Sequence, residues 1–524
     1  MVRTRPTLPH GHGELLTQPP YEEWTTLAGT VGERVRAWDF DVAGTSGASL
    51  RLSARRELVA HAEAFSARLG VPVATTKDEP GLVVVTGHQP ELYHPGVWIK
   101  DFLLQRFSDE TGATALDLVV DSDTFATLGV AAPCMRPVVK RCQLYLAVGD
   151  GETCYACAPV PDALHVDDFC TAASGMLASL PAPAVGRHFD EFCGHLHDAM
   201  RDAENLSELV TFARRRYEAS AGTDYLELAV TSVGRSRAFA LFAADIICNA
   251  RAFAEAFNAE LADFRTATKT RSVVQPFPDL AIDEAEVELP LWVIVGSKRY
   301  AARVGQVDGM LELRANGLAL ASLPPDAASA ASLLGDAEFT LVPRALALTL
   351  FVRMFVADLF IHGVGGGRYD RVTDGVALRY YGVKPAPYVV ASMTMYLPLG
   401  AHLVTEEEVA DLRQELNRLD HNPDTMLGEV EFDTAEERNH AQALAFEKQQ
   451  LVTEIAVDGA DKKALGRRIR EVNAELVEVL APLANQLSEE LARLDGQRQM
   501  AEVLTDRTYP FCFWSPSEVA DKAR

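Results

Sequence analysis

Two short apolar runs flanking a stretch of helical periodicity constrain this chain more than any other feature. Gly81-Leu-Val-Val-Val-Thr86-Gly87 is β-branched and opens into a glycine turn, the pattern of a strand buried on both faces. Val97–Phe107 (VWIKDFLLQRF) repeats its apolar positions at helical spacing, and Ala115-Leu-Asp-Leu-Val-Val120 then runs into Asp121-Ser122-Asp123. Strand, turn, helix and strand in this order open a doubly wound α/β sheet, whose ligands gather beyond the carboxyl ends of the strands. With 48% apolar and 23% charged residues over 524 positions, the chain buries a sizeable core, which excludes wholesale disorder.

Further along, residues 50–70 read as an amphipathic helix capped by Gly70. Residues 190–270 are mainly helical, as in Ser236–Phe264, and Val287–Val304 alternates around Gly296-Ser297 as a β-hairpin. Ala345–Ile361 (ALALTLFVRMFVADLFI) reads as one long buried helix. Arg353 and Asp358 inside it argue against a membrane span, because a charge at mid-bilayer is costly. Tyr388–Met395 is another short strand.

After about residue 400 the character changes. Thr405-Glu-Glu-Glu408 reads as a capping box, and Val409, Leu412, Leu416 and Leu419 follow it at helical spacing. Leu465, Ile469, Val472, Leu476, Leu480, Leu483, Leu487, Leu491 and Leu494 form an apolar seam among charged residues, the mark of coiled-coil packing. Two arms joined through Asp458-Gly459-Ala-Asp461 predict an antiparallel hairpin, with Pro482 kinking the second arm. The length of the seam predicts a homodimer. The aromatic tail, Tyr509–Pro516, is expected to pack on the main body. At ~150 residues per domain the length suggests about three parts. The expected division is an α/β core over 1–400 with a mixed helical and hairpin insertion at about 135–335, an α-helical coiled coil over 401–505, and the tail over 506–524.

Forty-nine Lys and Arg against 74 Asp and Glu give a net charge of −25. So acidic a chain is a poor fit to nucleic acid or to an anionic membrane surface, both of which require clustered cations. The first residues lack the apolar segment of a signal peptide, so a cytoplasmic location is expected. Eight cysteines are too sparse for a disulfide framework. Cys154 and Cys157 form a CxxC pair, followed by Cys170, Cys193, His195 and His197. Two readings stand: reduced cysteines filling a core, or zinc held at Cys154 and Cys157.

Three segments carry residues suited to chemistry. Thr86-Gly87-His88-Gln89, with Lys100 on the following helix, lies where a turn and a helix N-terminus face an anion; capping of that helix by His88 and Gln89 is the structural alternative. Asp121 and Asp123, just past a strand, suit a cation, a ribose or a proton transfer, and equally suit helix capping. In His362-Gly363-Val-Gly365-Gly366-Gly367-Arg368 the glycines admit a ligand close to the backbone and Arg368 adds a cation, or else the loop only ends the preceding helix.

In this order, ahead of a coiled coil, the segments resemble the bacillithiol-biosynthesis cysteine-adding enzymes (the BshC family). The matching pieces are Thr86-Gly87-His88-Gln89…Leu92, Asp121-Ser122-Asp123 and Ile361-His-Gly363…Gly367, with the aromatic tail. The resemblance spans most of the chain, with identity concentrated in these pieces. His88–Phe102 is also similar to the opening of WbqC-like proteins. Together the resemblances imply a Rossmann-like, nucleotidyltransferase-like parallel-sheet core with a nucleotide-sized pocket. They imply an ATP-dependent ligase, or a nucleotidyl or acyl transferase, joining a cysteine-like amino acid to a small-molecule amine. In that reading His88, Lys100 and Arg368 steady phosphates, Asp121 or Asp123 holds Mg²⁺ or ribose, and Thr86, Gly87, Gln89, Gly363, Gly365, Gly366 and Gly367 shape the nucleotide site. The chain departs from the family at His88, where a Gln is usual, and at Ser122, where a His is usual. These departures support an alternative, a non-catalytic dimeric protein that binds a nucleotide or metabolite.

Overall fold

In the computed structural model, which describes residues 7–76, 81–134, 139–268, 278–399 and 406–524, six strands build the central sheet. They are β1 (Glu14–Gln18), β2 (Val83–His88), β3 (Thr114–Val119), β4 (Leu226–Ala229), β5 (Leu359–His362) and β6 (Tyr388–Thr394). Their order across the sheet is β1-β6-β5-β2-β3-β4; β2 to β6 run parallel and β1 pairs antiparallel with β6. From β2 the chain steps to β3 and β4 on one side, then returns to β5 and β6 on the other. The order therefore reverses between β2 and β5, whose carboxyl ends lie side by side, the position at which open α/β sheets bind ligands.

Helices α1 (Gly47–Ser66), α2 (Pro95–Thr111), α3 (Leu206–Glu218) and α4 (Val364–Tyr381) matter most for the site. α1 starts where the Ser46 hydroxyl accepts from the Ser49 amide, and it buries Leu50, Ala54, Leu58 and Ala62 at four-residue spacing. α2 starts at the His94 cap with Pro95 in its first turn and ends at Gly112, whose φ of 68° suits the left-handed terminus. It buries Trp98, Ile99, Phe102, Leu103, Leu104 and Phe107, so it lies inside the fold.

The expected strands over 81–87, 115–120 and 388–395 form as β2, β3 and β6, and the expected hairpin forms as Glu286–Val295 paired with Lys298–Val307. That hairpin belongs to a five-stranded antiparallel sheet with Met310–Ala315, Leu318–Leu323 and Thr340–Pro343. Ala345–Ile361 differs from its expected form. The helix stops at Phe355, and Leu359–His362 becomes the buried strand β5. Asp358 marks the break: its carboxylate accepts from the Val83 amide at 2.8 Å, from Arg51 at 2.6 Å and from Arg55 at 2.8 Å, tying β5 to β2 and α1. Among the described residues no helix is long and apolar enough to cross a membrane.

The chain divides into two compact units, one of Met1–Met135, Arg141–Leu397 and Arg507–Arg524, the other of Arg136–Lys140 and Pro398–Asp506. Within the second lie helices Glu406–His421, Ala435–Ile455, Lys462–Val479 and Ala481–Leu504. Leu419, Met426, Leu480 and Leu487 pack in one apolar cluster, and Leu444, Val472 and Leu476 in another. The expected seam is thus interrupted at Leu480, and Pro482 lies in the first turn of a new helix, where its missing amide costs nothing. Thr405, the expected cap, lies outside the described residues; Thr434 and Glu437 form a capping box at the start of the helix Ala435–Ile455. The aromatic tail packs within the first unit: the Phe511 amide donates to the Tyr93 carbonyl at 2.7 Å, and the Phe511 ring meets Tyr93, Trp98 and Phe192.

Candidate active site

β2 ends with Thr86, Gly87 and His88, of which Thr86 and His88 are buried. A Cβ on Gly87 would lie 2.9 Å from the Leu118 Cβ, so only glycine lets β2 and β3 approach here. The Thr86 hydroxyl donates to the Ile361 carbonyl at 2.8 Å, bridging β2 and β5. Lys100, expected to reach a phosphate, points inward from α2: its Nζ donates to Thr86 Oγ1 at 3.2 Å and to the Gly87 carbonyl at 2.8 Å. Burial lowers its pKa below the usual lysine value.

His88 is also buried. Its Nδ1 lies 3.0 Å from the Gln89 carbonyl, and its Nε2 lies 3.0 Å from Asp117 Oδ2, 3.5 Å from Asp101 Oδ2 and 2.8 Å from the Tyr93 hydroxyl. A carbonyl and a carboxylate only accept, so both ring nitrogens carry hydrogen and the imidazole is cationic. Burial alone would lower its pKa, but Asp117 and Asp101 outweigh that cost and raise it to about 9.

Behind His88 lies a buried ionic network centred on Arg214 of α3. Its guanidinium contacts Asp101 at 3.1 Å, Asp117 at 3.1 Å, Glu218 at 3.2 Å and Glu227 at 2.6 Å, and donates to the Tyr225 hydroxyl at 2.6 Å. Arg215 adds contacts to Glu218 and Glu227, both at 3.2 Å. With His88 charged, four basic groups, His88, Lys100, Arg214 and Arg215, face four acidic ones, Asp101, Asp117, Glu218 and Glu227. Burial opposes ionisation of Asp117, yet His88, Arg214 and Lys100 hold its pKa well below the usual range. Burial lifts Glu227 to about 8, so it holds a proton at neutral pH, and burial also raises Asp101. None of the carboxylates or arginines of this network was a sequence candidate. The available signal was Asp117 and Glu227 within short apolar strands, where a charge persists only if paired.

Asp121 and Asp123 diverge. Asp121 is buried: Oδ1 accepts from the Thr231 amide at 2.9 Å and Oδ2 from the Thr231 hydroxyl, so it caps the turn after β4. Burial raises its pKa to about 6. Asp123 is more open; it accepts from Gln89 Nε2 at 3.2 Å and pairs with Arg299 at 2.6 Å. The structure therefore brings Gln89 and Asp123 together, while His88, Lys100 and Asp121 turn inward.

The glycine loop begins α4 rather than ending a helix: Gly363 is its N-cap and Gly365 to Gly367 lie in its first turn. A Cβ on Gly367 would lie 2.3 Å from Val390 Cγ2 and one on Gly366 would lie 2.8 Å from His362 Nδ1, whereas Gly363 and Gly365 face open space. Behind the loop, His362 Nε2 lies 2.8 Å from Asp370, which pairs with Arg353 at 2.7 Å. The Arg368 guanidinium lies 5.4 Å from the Tyr369 ring centre.

Among the described residues, the one set of three His, Cys, Asp or Glu ligand atoms within 4.8 Å of one another is His88, Asp101 and Asp117. Arg214 already neutralises both carboxylates and His88 presents no lone pair, so this set does not suit a metal ion. Cys154 and Cys157 pair with each other, as Cys170 and Cys193 do, and among the described residues neither pair joins a set of three. Neither family models nor curated proteins match this chain.

Proposed function

We propose that this chain binds a nucleotide at the crevice between β2 and β5, on a Rossmann-like core, and uses it as an ATP-dependent ligase or a nucleotidyl or acyl transferase joining a cysteine-like amino acid to a small-molecule amine. The observation that carries the reading is the reversal of strand order at two adjacent carboxyl ends, with the glycine-lined start of an 18-residue helix at one of them. Such a helix start offers unpaired amides and a positive dipole end to a phosphate. Gly363 and Gly365 leave room for it. Exposed Gln89 and the partly buried pair Asp123 and Arg299 supply polar groups suited to ribose and phosphate. To hold a phosphate-bound Mg²⁺, Asp123 would exchange its ion pair with Arg299 for the metal.

Calorimetric titration with ATP tests the nucleotide site. Gly365→Asp fits the open space and suits a helix start, but sets a negative charge against the phosphates. It is expected to weaken ATP binding at least tenfold while the protein stays folded. Unchanged affinity, or no binding by the wild type, defeats the proposal. Release of phosphate or pyrophosphate with a panel of amino acids then tests the ligase reading.

A second reading, a binding protein without chemistry, is favoured by the commitment of His88 and Lys100 to internal partners. Nucleotide binding without turnover selects it. We also propose a homodimer through the helix Ala435–Ile455, where Phe446 is 62% exposed. Light scattering checks this, with Phe446→Glu expected to give monomer.

A further inference from the structure

Cys154 and Cys157 flank a short 3₁₀ turn in which the Cys157 amide donates to the Cys154 carbonyl at 3.0 Å. Residues at the two ends of such a turn have Cα atoms less than about 7 Å apart, within the span a disulfide bridges. Their surroundings differ. Cys154 is fully buried, in an apolar cluster with Ile294 and Val342, while Cys157 is half-buried and its Sγ lies 3.7 Å from the Gly296 carbonyl. The Cys154 thiol hydrogen-bonds the Cys157 sulfur. That bond, with a smaller contribution from Arg235, lowers the Cys157 pKa to about 7 against the opposing effects of burial and the Asp121 carboxylate, and raises that of Cys154. Hydrogen bonds join this turn to the candidate site. The Ala156 amide donates to the Asp121 carbonyl and the Tyr155 amide to the Asp123 carbonyl, both at 2.9 Å. Trp292 packs against the same thiols and stacks on Arg299, the ion-pair partner of Asp123.

We propose that Cys154 and Cys157 are a reversible dithiol–disulfide pair whose oxidation state is passed to the Asp121–Asp123 turn. The oxidant is a low-molecular-weight disulfide. The Cys157 thiolate attacks one of its sulfurs, forms a mixed disulfide and releases one thiolate. Cys154 loses its proton to solvent and attacks the Cys157 sulfur, releasing the second thiol. Two protein thiols are oxidised, one disulfide is reduced, and the resulting bond closes the turn. The proposal does not depend on nucleotide binding, and its readouts are independent of any activity.

The test exposes the full-length protein to glutathione disulfide, followed by alkylation and peptide mapping. The expected products are a linked Cys154–Cys157 peptide, reversed by dithiothreitol, and, in the reduced protein at pH 7, alkylation of Cys157 at least tenfold faster than Cys154. Cys154→Ser should carry one glutathione on Cys157, and Cys157→Ser should carry none on Cys154. Oxidation should shift the tryptophan emission, and Trp292→Phe should abolish that shift. Cysteines that alkylate equally at every glutathione ratio overturn the pair. Protection from alkylation that a chelator removes overturns it in favour of zinc. An oxidised protein with unshifted emission overturns the link to the turn.

Discussion

His88 Nε2 lies 3.0 Å from Asp117 Oδ2, inside a network whose other cations are Lys100, Arg214 and Arg215. An imidazolium is thereby built into the interior at the carboxyl end of β2. Its positive charge holds β2 to β3 and α2, because Asp117 belongs to β3 and Asp101 to α2.

This pair sets a pH dependence. The His88 pKa rises from an ordinary value near 6.5 to about 9 in the folded protein, so its contribution is complete below about 6.5 and is lost as pH rises through 9. Glu227, raised to about 8, adds a loss in the same direction as it ionises. Urea unfolding between pH 6 and 10 should show stability falling on the alkaline side. His88→Gln should flatten that fall by on the order of 2–3 kcal/mol. An identical slope in the variant would show that His88 is neutral in the folded state.

Arg214 meets four buried carboxylates. Arg214→Met leaves them without their central cation and should cost about 3–5 kcal/mol in chemical denaturation. Arg214→Lys should recover only part, because an ammonium lacks the planar fork that reaches Asp117 and Glu227 through one nitrogen and Asp101 and Glu218 through the other. Arg214→Met combined with His88→Gln should be less destabilising than the sum, since the two act on the same carboxylates.

Neighbouring glycines of α4 should respond oppositely to alanine. Gly365→Ala meets open space and should raise stability by about 0.5–1 kcal/mol through helix propensity. Gly367→Ala drives a methyl into Val390 and should cost about 1–3 kcal/mol. Thermal melts of the two single variants suffice to check both signs.

Phe511 anchors the tail against Tyr93, Trp98 and Phe192. Phe511→Ala should cost about 3–5 kcal/mol by leaving a cavity. It should also loosen Tyr93, visible as faster hydrogen exchange at the turn carrying His88.

Strands β2, β3 and β6 were legible because each is a short, mainly apolar run ended by turn residues, despite Asp117 within β3 and Ser392 within β6. β5 was not, because four residues directly after an apolar helix share its composition; Asp358, which marks the break, signals nothing until its partners Arg51 and Arg55 are known. β4 hid for the same reason, four residues with a glutamate among them inside a helical stretch. At the site, the turn of Thr86–Gln89 was correctly put at a strand end, whereas the glycine loop was read as following a long helix; the strand β5 that precedes it makes the two turns neighbours. The direction of the side chains was not legible. His88 and Lys100 look like phosphate ligands until Asp117, Asp101 and the Gly87 carbonyl, all supplied by the folded arrangement, are seen to engage them.

The aromatic tail has a consequence for the birth of the molecule. It belongs to the same unit as the sheet, yet follows residues 398–506 in sequence. On a ribosome all six strands are made before Phe511, and the surface around Tyr93 and Trp98 waits uncovered while the intervening helices are synthesised, roughly 5–20 seconds at ~5–20 residues per second. Those helices rest on near-neighbour contacts and form quickly in that interval. The sheet unit, begun first, is therefore sealed last, and the nascent chain presents an aromatic patch to chaperones during that interval.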